Sequence, residues 1–485
     1  MANFFANYWP HIVFVLTIVC GVTAAIHAAM TKDDVRAAIG WVGIVLLSPL
    51  LGAVIYAIAG INRFRQKTTG RKHAATAIRH GFTPVHSVDI ALLVGSQFAS
   101  LKTLVDSVSV FPLTLGNRIK ILNGGDETYP AMIDAIESAQ KTIAIQSYIF
   151  DNDAIGKRIV EALAAAKKRG VEVRVLVDGI GIRYSRPRIS RLLKAEGIPY
   201  ALFNSGILGM RLPYANLRSH RKVMVVDGIV GLTGGMNIRQ GFSSEFSPNH
   251  LFKDKHFQVS GPIVSQLLSS FMHDWQVTTN EELSISQWFT SIKSLETQLA
   301  EDTGLPARIV PSGPDQNLAN THRVLMGAIT VAQKHIRICS PYFIPDQQLI
   351  GALAVAARRG IIVDIVIPSS NNLKLVDYAM TAQLDQVIHP GCRVWRASGD
   401  FDHSKLMTVD GAWSYVGSSN FDPRSLRLNF ELDMEVYDRP IAQAIEAVID
   451  DHIKNAIPET LQTLNNRSFV TRLRNRAIWL ATPYL

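Results

Sequence analysis

The most distinctive feature of the sequence is a polar motif, His-x-Lys-x-x-x-x-Asp, that occurs twice. The two copies comprise His220, Lys222 and Asp227, and His403, Lys405 and Asp410. Each copy is followed by a small turn that ends in an asparagine, Asn237 or Asn420. An imidazole can attack phosphorus or transfer a proton, while an ammonium group and a side-chain amide can hold phosphate oxygens. Because exchange of a phosphodiester needs a nucleophile on one side and an acid on the other, the paired motifs predict a phosphate-handling site.

These motifs lie within a repeat that covers most of the chain. Residues 138–153 resemble residues 331–346, and residues 161–179 resemble residues 351–369. The separation between equivalent positions falls from 193 residues at the first of these pairs to 183 residues at the two motif histidines. The sequence therefore predicts two copies of one module, with a longer insertion in the first copy.

Each copy alternates helix-like and strand-like segments. An Ala-rich stretch ends at Gly170 or Gly360, which can adopt the left-handed conformation of a helix C-cap, and an apolar run follows. Helices that alternate with uninterrupted apolar strands predict an α/β fold with both faces of the sheet covered. His220 and Lys222 are two residues apart in a predicted strand, which directs both side chains to one face. We therefore expect two α/β/α modules packed pseudo-symmetrically around one cleft.

The composition narrows the class of partner. The 485 residues are 47% hydrophobic and 18% charged, with a net charge of +9. This balance is apolar for a soluble enzyme and indicates membrane segments. The excess of positive charge suits an anionic partner, either a nucleic acid or a membrane of anionic lipids. The three cysteines, Cys20, Cys339 and Cys392, show neither a metal-ligand spacing nor a disulfide framework.

Two apolar segments predict a membrane anchor near the N-terminus. Neither 9–30 nor 37–61 contains a charged residue, and each is long enough to cross a hydrocarbon core of about 30 Å. A signal peptide is the alternative for the first segment, but no Lys or Arg precedes it and a second apolar segment follows at once. The basic residues after the second segment are Arg63, Arg65, Lys67, Arg71, Lys72 and Arg79. By the positive-inside rule they predict that this side, and the bulk of the chain, is cytoplasmic.

The paired motif resembles that of the phospholipase D superfamily, and the two N-terminal spans resemble the bacterial cardiolipin synthase family within it. Further segments that carry the resemblance are GINRFRQ at 60–66, NLRSHRK at 216–222 and KDKHFQVSGP at 253–262. The resemblance implies two phospholipase D-like modules behind two transmembrane helices. The implied boundaries are 1–66 for the anchor, 67–118 for an accessory linker, 119–290 and 300–466 for the modules, and 467–485 for a basic amphipathic tail.

The resemblance also implies a two-step displacement at phosphorus. One histidine attacks the phosphodiester of phosphatidylglycerol and forms a phosphohistidine, and the other protonates the departing glycerol. A second phosphatidylglycerol then accepts the phosphatidyl group and gives cardiolipin. We assign His220 as the nucleophile and His403 as the general acid, although the near-symmetry of the halves leaves this choice open in the sequence alone. The groups expected to neutralise the developing charge are Lys222, Lys405, Asn237 and Asn420. No cofactor and no metal ion are therefore expected.

Each catalytic histidine needs a partner that holds its second ring nitrogen, since the partner fixes the orientation and the tautomer of the imidazole. Glu431, in the segment NFE, is the candidate for His403. Asp254, in the segment KDKH, is the candidate for His220. Both expected pairs join residues that belong to the same module.

Five further charged residues accompany the motifs. Asp227 and Asp410 complete the motif formally, but their positions after the strand favour a structural role in which they anchor the following turn. Arg218, Arg221 and Arg424 lie beside the motifs. They could either contact a lipid headgroup or be ordinary exposed side chains.

The C-terminal tail, 467–485, mixes arginines with apolar residues. It is interpreted as a basic amphipathic helix on the bilayer surface, with an ordinary docking helix as the alternative. The expected location is the bacterial cytoplasmic (inner) membrane, with a multi-pass anchor and both modules on the cytoplasmic side. The expected partners are phosphatidylglycerol and anionic membrane lipids rather than nucleic acid, and no oligomer is required for a complete site.

Several alternative functions share the same motifs. Water as the acceptor would make the protein a phospholipase D that produces phosphatidic acid, and another lipid donor or alcohol acceptor would give a different transphosphatidylation. A nuclease or DNA-binding module also fits the basic charge, but two membrane spans argue against it. A membrane scaffold that has lost activity is disfavoured because both motifs are intact.

Overall fold

The structure is a computed structural model, which describes residues 2–32, 34–60, 89–204, 217–289, 304–315 and 317–482, although not the side chains of residues 2–7 and 58–59. Three expectations concern residues outside these ranges: the basic run after the second apolar segment, the start of the accessory linker at 67–88, and the junction between modules at 290–303. The described residues form two compact units, the N-terminal helices and the remainder of the chain.

The N-terminal unit consists of apolar helices. They are α1 (Ala2–Thr31), α2 (Val35–Leu47) and α3 (Pro49–Ile55). Among the described residues, Tyr8–Thr31 is the one segment both long and apolar enough to cross a membrane as a helix. The second apolar segment, expected to be helical over 37–61, is divided at Ser48, which leaves the helical conformation, and Pro49, which starts a new helix. Proline lacks the N–H group that would continue the preceding helix, which explains the division.

One mixed sheet runs through both modules. Its strands are β1 (Thr114–Asn123), β2 (Thr142–Ser147), β3 (Glu172–Asp178), β4 (Tyr200–Phe203), β5 (Arg218–Ser219), β6 (Val223–Val226), β7 (Val230–Gly234), β8 (Lys255–Ser260), β9 (Leu305–Ser312), β10 (His335–Cys339), β11 (Ile362–Pro368), β12 (Arg393–Ala397), β13 (Leu406–Val409), β14 (Trp413–Gly417), β15 (Asn429–Tyr437) and β16 (Ile457–Glu459). Across the described residues the order is β16-β12-β11-β10-β13-β14-β15-β9-β1-β8-β7-β6-β2-β3-β4, and β5 pairs with β15. The mixed α/β class predicted from the sequence is confirmed.

The strands of the two halves have the same order of neighbours. Outward from the central antiparallel pair of β1 and β9, the first half runs β8-β7-β6-β2-β3-β4 and the second runs β15-β14-β13-β10-β11-β12. Strands β2, β3 and β4 are parallel to one another in the first half, as are β10, β11 and β12 in the second, where β16 adds an antiparallel edge strand. The His-x-Lys segments lie immediately before β6 and β13 rather than within strands, which corrects the expectation that they are themselves strands. They leave the ladder of their own module at this point because their backbone pairs with the other module.

Helices surround this sheet. They are α4 (Ile90–Leu93), α5 (Gln97–Val108), α6 (Gly124–Ser138), α7 (Ala154–Lys168), α8 (Ile189–Ala195), α9 (Ile263–Thr279), α10 (Ile285–Trp288), α11 (Asn320–Val331), α12 (Gln347–Arg358), α13 (Lys374–Gln383), α14 (Asp385–Ile388), α15 (Pro423–Arg427), α16 (Arg439–Lys454), α17 (Leu461–Asn465) and α18 (Phe469–Trp479). After α7 and α12, Gly170 and Gly360 have φ values of +95° and +87°, which confirms the predicted left-handed C-caps.

Each module has its own apolar core, and the accessory region extends the second one. Phe98, Leu101 and Val105 on α5 pack into the core of the second module. Arg308 of β9 is fully buried and forms ion pairs of 2.6 Å with Glu435 of β15 and with Asp106 of α5. A buried guanidinium requires such partners, so this contact holds α5 in place against the second module.

Helix α18, in the C-terminal segment, has features of both a docking helix and a helix with an exposed apolar surface. Trp479 packs against the core of the second module, and Arg476 forms a 2.6 Å ion pair with Asp385. On the same helix Phe469, Val470 and Leu473 are 70%, 74% and 57% exposed. One face of α18 therefore docks on the protein, while the start of the helix presents apolar side chains outward.

Candidate active site

A cleft of about 430 Å³ is lined by residues of both modules. His220 and Asn237 of the first module and His403 and Asn420 of the second all line this central cleft. The structure thus brings together four of the six residues that the sequence assigns to the phosphate, whereas Lys222 and Lys405 do not line the cleft. A space of this size admits a phospholipid headgroup.

Backbone hydrogen bonds hold each histidine against the opposite module. The N–H group of His220 donates to the carbonyl of Phe430, at 2.8 Å, beside the short parallel pairing of β5 with β15. The N–H group of His403 donates to the carbonyl of Lys253, at 2.7 Å. Each histidine is therefore placed one residue away from a carboxylate of the other module.

Two carboxylates hold the imidazoles, but the expected pairing is wrong. Nδ1 of His220 lies 2.9 Å from Oε2 of Glu431, and Nδ1 of His403 lies 2.9 Å from Oδ2 of Asp254. The sequence had suggested the opposite assignment, within each module. The crossing follows from the backbone contacts, because Glu431 succeeds Phe430 on β15 and Asp254 succeeds Lys253 just before β8.

The two motif lysines lie beneath the histidines and are almost fully buried. Nζ of Lys222 donates to the carbonyl of His220 at 2.6 Å, and Nζ of Lys405 lies 2.8 Å from Nδ1 of His403. Burial lowers the pKa of Lys222 to about 7, and burial also lowers the pKa of Lys405. The lysines therefore place positive charge just behind the imidazoles. There it can interact strongly with a phosphate, because the distance is short and water is excluded.

The two histidine–carboxylate pairs differ in their electrostatics. Burial lowers the pKa of His220. Burial by itself would raise the pKa of Glu431, but the interactions of this carboxylate with His220 and Lys222 keep its pKa below the ordinary value. Burial raises the pKa of Asp254 to about 7, and burial together with Lys405 holds the pKa of His403 well below its ordinary value. The first pair therefore holds an ionised carboxylate beside a neutral imidazole, and the second retains a proton close to neutral pH.

The two asparagines are fixed by local contacts. Oδ1 of Asn237 accepts the backbone N–H of Ile149 at 3.0 Å, and Nδ2 of Asn420 lies 3.3 Å from Oγ of Ser425. Among the described residues, no group of three or more His, Cys, Asp or Glu side chains is placed to hold a metal ion.

Asp227 and Asp410, which complete the motif formally, do not line the cleft, and their carboxylates bind backbone N–H groups instead. Asp227 accepts the N–H groups of Gln140, Lys141 and Thr142 at 2.7 to 2.8 Å. Asp410 accepts the three equivalent N–H groups of 333–335 at 2.7 to 2.9 Å. Both residues have positive φ, of 53° and 54°, and each ties the turn after its strand to the start of the neighbouring strand in the sheet, β2 or β10.

Replacing Asp227 with alanine is expected to destabilise the fold by about 1–3 kcal/mol, because three backbone donors lose their acceptor. Turnover per folded molecule should stay close to the wild-type value, since the side chain does not reach the cleft. Thermal unfolding and activity normalised to folded protein test this, with Asp227→Asn as the conservative control. A loss of turnover at an unchanged melting temperature would return Asp227 to the catalytic group.

Two contacts near the site were not indicated by any pattern in the sequence. His452, on α16, places Nε2 2.8 Å from Oδ2 of Asp402, directly before His403. The charge of Asp402 adds to the rise in the pKa of Asp254. The contact of His452 with Asp402 therefore influences the pair formed by His403 and Asp254. Arg221 is buried in a 2.8 Å ion pair with Asp274, which excludes the headgroup role considered for it. These contacts join distant parts of the chain, and no spacing in the sequence encodes them.

Comparison with known proteins agrees with this geometry. A family model described as "Cardiolipin synthase, PLD-like domain" matches residues 132–275 and 325–453. Cardiolipin synthase A of Pseudomonas aeruginosa is 31% identical over 474 residues, which is 96% of this chain and 94% of that protein. Cardiolipin synthase A of Pseudomonas putida is 29% identical over 471 residues, 96% of each protein. The crystal structure of phosphatidylserine synthase from Haemophilus influenzae Rd KW20 shares the fold, with a TM-score of 0.61 and 16% identity, over 80% of this chain and all of that one.

Two α/β modules that each supply a His-x-Lys motif to a shared cleft define an enzyme of the phospholipase D type. The family match covers both motifs, and the relatives match nearly the full length. The chain therefore belongs to the cardiolipin synthase family of phospholipase D-like proteins. It is accordingly a phospholipid phosphatidyltransferase that has a membrane-associated N-terminal apolar helix.

Proposed function

We propose that this chain condenses two molecules of phosphatidylglycerol into cardiolipin and glycerol through a phosphohistidine. The observation that carries the proposal is a pair of buried imidazoles, His220 and His403, that line one cleft and are each held by a carboxylate of the opposite module. The near full-length similarity to cardiolipin synthase A of two pseudomonads supports the choice of substrate. Phosphatidylglycerol is both donor and acceptor in this reaction.

In the first step Nε2 of His220 forms a bond to phosphorus, since Nδ1 is held by Glu431. The bond between phosphorus and the headgroup glycerol oxygen breaks, and His403 gives that oxygen a proton. In the second step a hydroxyl group of another phosphatidylglycerol loses its proton to His403 and attacks phosphorus, and the P–N bond breaks. Lys222 and Lys405 stabilise the charge on the phosphoryl oxygens. One phosphodiester replaces another, so the reaction needs no energy-rich donor.

The difference between the two pairs supports His220 as the nucleophile. A nucleophilic imidazole must be neutral, and burial favours the neutral form of His220 although the ionised Glu431 acts in the opposite direction. A general acid must carry a proton at the working pH, and the pair formed by His403 and Asp254 retains one close to pH 7. Environments that push titrating groups apart in this way separate acid from nucleophile.

The product distribution tests the proposal. Purified full-length protein in detergent is given phosphatidylglycerol that is labelled in its headgroup and its acyl chains, and lipid and soluble products are followed. Cardiolipin and free glycerol in equal amounts are expected. Phosphatidic acid as the sole lipid product would identify a phospholipase D instead.

The first step is expected to slow as the pH rises through about 7. Because burial raises the pKa of Asp254 to about 7, its pair with His403 loses the proton that glycerol departure requires above that pH. The second step needs a base and should become faster over the same range. The burst of glycerol release, measured by rapid quench between about pH 6 and pH 8, reports the first step directly. A burst that grows with pH would contradict the acid role of this pair.

The anchor and the arrangement of the modules belong to the same proposal. Both apolar segments enter the bacterial cytoplasmic membrane as a multi-pass anchor, with the modules on the cytoplasmic side and related by a pseudo-twofold axis that makes a monomer complete. Exposed apolar side chains on α2 and α3, Leu46, Leu47 and Leu51, support membrane contact of the second segment. The matching strand order of the halves supports the axis. Reporter fusions at either end of the chain test the orientation, and an active reporter on the external side would overturn it.

The start of α18 is proposed to rest on the bilayer surface beside the cleft. Thr482, which follows this helix, lines the central cleft. Replacing Phe469, Val470 and Leu473 together with serine is expected to raise the KM for vesicle-borne phosphatidylglycerol at least about fivefold, because apolar area is lost from the interface. Activity on a soluble short-chain substrate should not change. Val355→Ser, at an exposed position on α12, is the matched control.

A further inference from the structure

The repeat is kept at the catalytic positions of the central cleft but not along its walls. The position equivalent to Arg218, 183 residues later, is Phe401, and both side chains line the cleft. Phe401 and Tyr342 place their ring centroids 6.0 and 6.1 Å from the imidazole of His403. The ring of Tyr148 lies 5.3 Å from that of His220, so both histidines have an aromatic neighbour. The two walls differ where Arg218 makes the wall beside His220 cationic and Phe401 makes the wall beside His403 apolar.

A second guanidinium reaches the cationic wall from the other module. Arg424, on the short helix α15, lines the cleft together with Arg218, and both are half-buried. Burial lowers the pKa of Arg218. The positive charges of Arg424 and of the exposed Arg183 lower this pKa further. Two like charges from different modules are thus held close enough to repel each other in a partly desolvated space. Such an arrangement becomes favourable when an anion lies between them.

Basic residues outnumber acidic ones around this wall, although Asp422 lines the cleft close to Arg424. The loop and helix at 180–194 contain four arginines and one lysine and have no acidic residue. Asp178 favours the charge of Arg218, but its two oxygens also accept backbone N–H groups of Ile180, Gly181 and Ser219. A region of one sign beside a cleft concentrates ligands of the opposite sign.

The ligand that this wall fits is a phosphate other than the reacting one. The reacting phosphorus must lie between the two imidazoles, and a donor phosphatidylglycerol carries no second phosphate. A guanidinium binds phosphate oxygens through two parallel hydrogen bonds, which favours arginine for such a site. We propose that Arg218 and Arg424 bind the phosphate of the acceptor phospholipid and so make the second step prefer a phosphate-bearing alcohol to water or a simple alcohol. This inference rests on the proposed function, because it names the determinant of its acceptor.

The test compares acceptors for the same phosphohistidine. Arg218→Gln and Arg424→Gln are each given labelled phosphatidylglycerol in mixed micelles with ethanol, and cardiolipin, phosphatidylethanol and phosphatidic acid are quantified. We expect the ratio of cardiolipin to phosphatidylethanol to fall at least about tenfold in each variant, because a charged hydrogen-bonding group to phosphate is lost. The Lys variants at both positions keep the charge without the planar fork and should fall in between. Arg427→Gln, an exposed position on the same helix, should keep the wild-type ratio.

Each outcome decides the inference. A ratio that is unchanged in both Gln variants would overturn the subsite. So would a slower glycerol burst at an unchanged ratio, since that result would assign the arginines to the donor. Wild-type protein that releases glycerol yet forms no cardiolipin would refute the proposed function itself, whereas wild-type cardiolipin synthesis with unaltered variants would refute the subsite alone. Circular dichroism and melting temperatures establish that the variants are folded.

Discussion

Replacing either His220 or His403 with alanine is expected to lower the rate of cardiolipin formation by about 10⁴-fold or more, with little change in stability. The nucleophile and the acid act in one displacement, so the loss of either group removes most of the advantage over the uncatalysed reaction. Both imidazoles line the cleft, and neither is part of an apolar core. Quantification of cardiolipin from labelled phosphatidylglycerol gives the rates, and His389→Ala, at an exposed position, is the control.

An activated substrate separates the two histidines. A phosphodiester with a good leaving group, such as a nitrophenolate, does not need an acid for its departure. With this substrate His403→Ala should still form and accumulate the phosphohistidine, whereas His220→Ala should form none. The stable adduct can be located by mass spectrometry after alkaline quench. An adduct on His403 of the His220→Ala variant would reverse the assignment of roles.

Replacing Glu431 with glutamine or Asp254 with asparagine is expected to reduce turnover by about 10²–10⁴-fold, because each imidazole loses the carboxyl group that fixes its orientation and tautomer. The two effects should fall on different steps. Glu431 contacts His220, so Glu431→Gln should slow formation of the phosphohistidine from any substrate. Asp254 contacts His403, so Asp254→Asn should slow the step only with a poor leaving group and should abolish the pH dependence near 7.

These substitutions also test the crossing of the modules. If the carboxylates acted within their own modules, Glu431→Gln would impair departure of a poor leaving group and spare the activated substrate. Burst kinetics with both substrates distinguish the two arrangements. Each variant keeps the size of the original side chain, so a change of melting temperature by more than a few degrees would indicate a structural rather than a positioning role.

Much of the site could be predicted from local sequence because the chemistry is carried by short, repeated motifs. His220 and His403 were identifiable as partners because the repeat places them at equivalent positions. The repeat also fixes the strand order, since two copies of one module bury the same faces. A structural role for Asp227 was favoured by its position at the end of a strand, and three backbone N–H groups donate to its carboxylate.

The sequence by itself determined the candidate catalytic groups, the two-module α/β fold and the N-terminal apolar helix, because these depend on residue type, spacing and periodicity. Only the tertiary structure decided which carboxylate serves which histidine, since the contacts span 211 and 149 residues and arise where β5 and the segment before β13 cross to the other module. It also decided which carboxyl group keeps a proton close to neutral pH, because burial and neighbouring charge, not residue identity, raise the pKa of Asp254 and lower that of Glu431. The division of the second apolar segment at Pro49 is a local effect that the hydropathy pattern concealed.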